Sequence, residues 1–210
     1  MGIIGVVAAL TLPNLNSSTG DKEKVAKVKK IYSNLQDAYG RATAVYGPFD
    51  DWFINDGNDN DKKTKRMFDR ITEFMKYSKV CTVSDSCTLF DANSESSGIR
   101  ANYSVILADG SVVGFSYMQH NTYRKIFVDI DGMNKGANLA CKDFFTFIID
   151  DNGILKYSVG GSTYAEHEDS ALCASWVMRN DNMDYLKTGS DYKCPDGKTV
   201  LDGVTNTTCK

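Results

Sequence analysis

The sequence predicts an α+β fold, with a long N-terminal helix packed on an antiparallel β-meander and a disulfide-tied C-terminal region. Three observations predict it. Apolar residues recur at helical spacing before Tyr46, strand-like runs separated by turn residues follow Asn102, and cysteines are scattered through the later part. Short connections between successive strands require antiparallel pairing. Helices followed by a run of strands belong to the α+β class.

The chain has 210 residues, 42% hydrophobic and 24% charged, as in ordinary globular proteins. Its net charge of −3 supplies no general attraction for nucleic acid or an anionic membrane, so any partner has to follow from local features. The cysteines are Cys81, Cys87, Cys141, Cys173, Cys194 and Cys209, with no C-x-x-C pair and only two histidines, His120 and His167. Zinc sites bring ligands together at short spacing. The even, scattered set therefore reads as three disulfides formed in an oxidising compartment. Six cysteines allow fifteen connectivities. Neighbours along the chain are the favoured pairs: Cys81–Cys87, Cys141–Cys173 and Cys194–Cys209.

The first element is an apolar start, from Gly2 to Leu12, ended by Pro13. A bilayer span takes about 20 apolar residues, so this run is too short by itself. It reads as a signal-peptide core, as a buried helix, or as the distal half of a membrane helix that begins upstream of Met1. No basic residue precedes it and no small-x-small cleavage site follows, which disfavours the first. An amphipathic helix comes next. Val25, Val28, Ile31, Tyr32, Leu35, Ala38, Tyr39, Ala42 and Val45 form one stripe, and Lys22, Lys24, Lys27, Lys29, Lys30, Gln36 and Arg41 lie on the other face. Gly47-Pro48 stops it. Joined, the two runs make a helix of about 65 Å, expected to break or kink near Pro13 and between Ser17 and Gly20. That length suits a stem that both anchors and polymerises. Residues 1–46 are thus the stem and 47–210 the globular domain.

An acidic stretch follows, from Phe49 to Asp61. Asp56, Asn58 and Asn60 alternate as in a calcium loop, but glycine is missing where Asp61 stands and no closing glutamate follows. It reads as a solvated loop. Lys62–Tyr77 is a second amphipathic helix with Met67, Phe68, Ile71, Phe74 and Met75 inward, capped by Asp59 or Asp61. The strands are Tyr103–Leu107, Val112–Tyr117, Lys125–Ile130, Phe144–Ile149 and Ile154–Val159. Ala108-Asp-Gly110 and Asp150-Asp-Asn-Gly153 are the hairpin turns. Ser170–Asn180 is a short helix with Leu172, Trp176 and Val177 inward.

Gly2-Ile-Ile-Gly-Val-Val-Ala-Ala-Leu-Thr-Leu-Pro-Asn-Leu15 resembles the middle of the N-terminal methylation segment of type IV pilins and type II secretion pseudopilins. The runs Val128-Asp-Ile-Asp-Gly132, Lys142-Asp-Phe-Phe145 and Cys173–Lys187 resemble later signatures of pilin-like proteins. The family's basic leader with its cleavage glycine and its early glutamate are not present. Met1 stands where the family has an internal apolar residue, so the segment is expected to begin upstream.

The resemblance implies a pilin-like fold and a non-enzymatic subunit that polymerises through Ile3, Ile4, Val6, Val7, Leu10, Leu12 and Pro13. Its implied partners are other pilin or pseudopilin subunits, the inner membrane before assembly, and a prepilin peptidase acting on the full-length precursor. Its implied location is the bacterial inner membrane and periplasm, then a filament. Pseudopilins of the secretion type also carry calcium in a C-terminal loop. Here Asp129, Asp131, Asn134, Asn138 and Asp143 concentrate oxygen ligands just beyond a strand. The competing reading is that these residues only build turns.

His167 stands among Glu166, Glu168 and Asp169, and His120 sits in a polar stretch; both read as loop residues. No P-loop, G-x-G-x-x-G or G-x-S-x-G motif is present. The competing functional class is a secreted, monomeric, disulfide-bonded binding domain or adhesin, and a cell-surface hydrolase ranks third.

Overall fold

The computed structural model describes residues 3–82, 101–117, 124–132, 135, 141–157 and 169–183. Side chains are described from Gly20 onward in the first helix and from Cys173 onward in the last. Helix α1 spans Ile3–Tyr46 and is one unbroken α-helix of 44 residues. The expected break at Pro13 or between Ser17 and Gly20 is absent. Proline withdraws one backbone donor, but helix propagation on both sides is cooperative once nucleated. Gly47, with φ 81°, ends the helix and donates its N–H to the Thr43 carbonyl at 3.0 Å. That left-handed position favours glycine, and Pro48 then prevents continuation.

A 3₁₀ turn, Phe49–Phe53, and helix α2, Asn60–Thr72, follow. The Asp59 side chain accepts from the N–H groups of Asp61 and Lys62, both at 3.1 Å, so Asp59 is the N-cap. Helix α2 stops five residues short of Tyr77, because the chain there turns into a strand that periodicity did not reveal. Ser78 donates its N–H to Ile106 O at 2.8 Å, starting that pairing.

Six strands form one antiparallel sheet in chain order: β1 (Lys79–Thr82), β2 (Tyr103–Ile106), β3 (Val112–Tyr117), β4 (Arg124–Asp129), β5 (Phe144–Ile149) and β6 (Leu155–Lys156). Helix α3 (Asp169–Asn180) completes the described elements. The expected meander is what forms, with β4 one residue earlier than its pattern suggested and β6 reduced to two residues within the described range.

Register places Val105, Val113, Val128 and Phe145 in one row across the sheet, and Phe115, Ile126 and Phe147 in the next. This face forms the main core together with Val28, Leu35, Met67, Ile71 and Trp176. Residues Val25–Ala42 of α1 therefore share one core with the globular part. The opposite face is also buried. There Val112, Phe127 and Phe144 form a second cluster with Ala101, and Phe127 stacks on Phe144 at 5.7 Å. Burial on both faces explains why β5 reads as an almost continuous apolar run rather than an alternating one.

Candidate functional site

Helix α1 is held to the domain by a tyrosine series at seven-residue intervals. Tyr32 donates its hydroxyl to Leu155 O at 3.3 Å, and Tyr39 donates to Gly153 O at 2.6 Å. Tyr46 donates to Glu73 Oε2. Each ring also packs on aromatic neighbours: Tyr32 on Phe147, Tyr39 on Phe49 and Trp52, and Tyr46 on Trp52. A seven-residue interval is close to two helical turns, so the three rings fall on one side of the helix. Burial, with Asp150 nearby, pushes the Tyr39 hydroxyl well above the ordinary tyrosine range, which keeps it a neutral donor.

The lysines of α1 are not simply a solvated face. Lys24 donates to Lys142 O at 3.0 Å, Lys29 bonds Asp181, and Lys30 reaches Asp109 at 3.4 Å. These contacts clasp α1 to the start of β5, the end of α3 and the β2–β3 turn. Arg41 lies over the Phe74 ring at 4.9 Å. The sequence assigned all of these to the polar face, because periodicity marks which face is apolar but not what lies beside it.

The second feature is the turn after β4. The Asp129 carboxylate accepts from the N–H groups of Asp131 at 3.2 Å and Gly132 at 3.0 Å, both through Oδ1. Its Oδ2 is buried without a hydrogen-bond partner, as is Oδ1 of Asp131. Strand alternation points Asp129 to the sheet face opposite the helices, between Val112 and Phe144 in register. Burial in that apolar row, with the Asp131 carboxylate close by, pushes the Asp129 carboxyl up to about 7.

Gly132, with φ 95°, lets the turn press against the β2–β3 turn. A Cβ there would lie 2.6 Å from Gly110 O. Ser111 donates its hydroxyl to Ile130 O at 3.2 Å, joining the same two turns.

Calcium prefers six to eight oxygens, and the two orphaned carboxylate oxygens fit a hard cation. Asp143 does not complete a triplet with them. No group of three or more metal-ligating acidic, histidine or cysteine side chains forms among the described residues. Asn134 and Asn138 lie outside the described residues, as do His120 and His167.

The acidic loop is committed to internal structure. Asp56 is buried and takes a bidentate bond from Arg66, at 2.6 and 2.7 Å. Asp59 caps α2, and Asp61 accepts from Asn102 and Tyr103. Asp61, which stands where a calcium loop needs glycine, is thus already committed to protein donors.

Cys141 and Cys173 form the expected disulfide, tying α3 to the residues before β5. Cys81 is likewise disulfide-bonded. Cys87, Cys194 and Cys209 lie outside the described residues, and with them the other two favoured pairings. Ile3, Ile4, Val6, Val7, Leu10, Leu12 and Pro13 are all in α1, where only their backbone is described. No described helix is long and apolar enough to cross a membrane.

The sequence also missed the stacking of two arginines. Arg70 lies over Tyr46 and Trp52, and Arg124 over Phe49 and Tyr117. Nothing in helical or strand periodicity announces a cation–π contact between different elements.

No protein-family model, curated protein or solved structure matches the chain.

Proposed function

We propose that this chain is a structural subunit of a type IV pilus or type II secretion pseudopilus that polymerises through α1. The observation that carries the reading is the mismatch between α1 and the domain it serves. At 1.5 Å per residue, the 44-residue helix is about 66 Å long. A compact unit of the residues that follow is only about 40 Å across. Among the described side chains, the first core residue of α1 is Val25. A helix that outruns its own domain, and is apolar from Ile3 to Leu12, has a buried role to play with something else.

In this reading the pilin-like arrangement places α1 as the stem and the sheet as the outer surface. Burial of Ile3, Ile4, Val6, Val7, Leu10 and Leu12, first in lipid and then among other copies, drives both states. Each large side chain contributes about 1.5–3 kcal/mol. The Cys141–Cys173 disulfide is in keeping with a domain that matures in an oxidising compartment.

The test is to shear filaments from cells expressing the full gene and probe the fraction for this chain. The subunit is expected there, and Val7→Asp with Leu10→Asp should remove it while leaving the domain's melting unchanged. Recovery only as a soluble, secreted monomer would overturn the proposal and favour the binding-domain reading.

A further inference from the structure

Five large apolar side chains are exposed among the described residues: Val45, Ile54, Tyr77, Val80 and Ile154, from 39% to 74%. They fall into two groups, each set among charges of one sign. Residues 76–80 are exposed in succession and include Lys76, Tyr77, Lys79 and Val80. Lys79 and Val80 open β1, which forms one edge of the sheet. Val80 stands opposite Val105 and so carries the core row of Val105, Val113, Val128 and Phe145 out to the solvent. Among the described residues, neither Lys76 nor Lys79 meets a carboxylate.

The second group is acidic. Ile54 follows the 3₁₀ turn, which carries Asp50 and Asp51, and Ile154 follows the β5–β6 turn, which carries Asp151. The two turns make one surface. Asp50 and Asp151 both reach Arg124, at 3.9 and 3.0 Å, and a Cβ on Gly153 would lie 3.0 Å from Phe49 Cβ. Val45 ends α1 beside the same turn, next to Tyr46, whose ring packs on Trp52. The Arg124 side chain is only 14% exposed, so the carboxylates stand outermost. Asp51 meets no cation among the described residues.

We infer that the basic edge of one copy docks on the acidic turns of a second copy. This rests on the subunit reading above and names the contact between globular domains. One chain cannot make the contact with itself. Lys79 shares a row with Ile106, Val112 and Asp129, and Arg124 lies five residues back along β4 from that row. At about 3.4 Å per residue and 4.8 Å per strand, the two surfaces are offset by roughly 17 Å along the strands and 14 Å across them. Lysine and aspartate side chains do not bridge that gap. Pairing of like edges would set Lys76 and Lys79 against their own copies, which like charge disfavours. Two different surfaces that meet head to tail continue as an open helical array when the rotation does not close. The apolar side chains supply the burial, and the charges select register and partner.

The experiment is photo-crosslinking in cells expressing the full gene, with p-benzoylphenylalanine in place of Val80. Irradiation is expected to join two copies of the chain, the second through residues 49–54 or 150–155, as read by mass spectrometry of the adduct. Lys76→Glu with Lys79→Glu should lower the yield about five- to tenfold, since exposed pairs turn from weak attraction to repulsion. Asp50→Lys with Asp51→Lys should do the same. The four changes together should restore the yield, which misfolding cannot do, and each variant should melt as the wild type does. An adduct between two Val80 regions, an adduct to a different protein, no adduct, or a sign-exchanged chain that stays low overturns the docking. The subunit reading survives that result if the chain is still recovered in sheared filaments. An expected adduct found only in soluble secreted chains does the reverse, keeping the docking and overturning the filament.

Discussion

Replacing Asp129 by asparagine tests the electrostatics of the turn after β4. The carboxyl is fully buried, and its Oδ1 is satisfied by two backbone N–H groups while Oδ2 faces no donor. Burial and the neighbouring Asp131 carboxylate raise its folded-state pKa from 3.8 to about 7. A carboxyl raised in this way contributes its stabilisation in full below the unfolded value, near pH 4, and loses it as pH climbs through about 7. Linkage caps the loss at about 4 kcal/mol. Local relaxation around the buried group reduces this, and we expect about 2 kcal/mol. Asparagine keeps the Oδ1 acceptor and replaces the orphaned oxygen with an N–H₂ that can donate to Asp131. Asp129→Asn should therefore raise the melting temperature by about 4–8 °C at pH 8 in chelator, and change little at pH 4. Thermal unfolding followed by circular dichroism across this pH range measures it. A variant less stable than wild type at pH 8 in chelator would refute the picture of a desolvated, unpaired carboxylate. The same scan with calcium added tests for a cation on the pair. Calcium should raise the wild-type melting temperature, and not that of Asp129→Asn, if a cation is held there.

Asp56→Asn should cost about 2 kcal/mol at neutral pH by breaking the bidentate bond from Arg66. Arg66 holds the Asp56 carboxyl below the ordinary carboxylate range. Its stabilisation is thus present above about pH 4 and lost as pH falls, so the deficit of the variant, read by urea unfolding, should shrink in acid. Cys141→Ser with Cys173→Ser opens a link between residues 32 apart and should lower stability by about 3–4 kcal/mol in the chain-entropy account, measured by denaturant unfolding. Two glycines should respond in opposite directions. Gly132→Ala drives a Cβ against Gly110 O at positive φ and should destabilise by about 1–3 kcal/mol. Gly40→Ala, mid-helix with nothing within 4 Å, should stabilise by about 1 kcal/mol in the isolated chain. A Gly40→Ala chain that is more stable yet assembles poorly would place a close-packed neighbour against that face.

Local patterns marked the elements whose signals are local. The strands Val112–Tyr117 and Phe144–Ile149 were legible to the residue because β-branched and aromatic runs are bounded there by turn residues. The buried stripe of α1 followed from its three- and four-residue spacing, and of its members only Val45 is largely exposed, at the very end of the helix. Strand β1 was not legible, since Lys79–Thr82 has only four residues and its first two are exposed. Its strand character comes from pairing with β2 across some twenty intervening residues. The overextension of α2 to Tyr77 is the same omission seen from the other side.

The candidate site divides along the same line. A local concentration of oxygen ligands, together with the family resemblance, brought Asp129 and Asp131 under suspicion, and neighbourhood along the chain named the Cys141–Cys173 pair. Spacing did not reveal that Asp129 lies on the buried face between Val112 and Phe144, because β-alternation says which residues share a face but not whether that face is covered. The roles of Lys24, Lys29, Lys30, Arg70 and Arg124 also depend on groups outside their own elements. By itself, then, the sequence determined the class of fold, the order of the strands from Tyr103 onward and the apolar-to-basic polarity of α1, all of which arise from interactions between near neighbours. Only the tertiary structure decided which charges are solvated and which are buried or clasped, because desolvation depends on the neighbours that folding brings together.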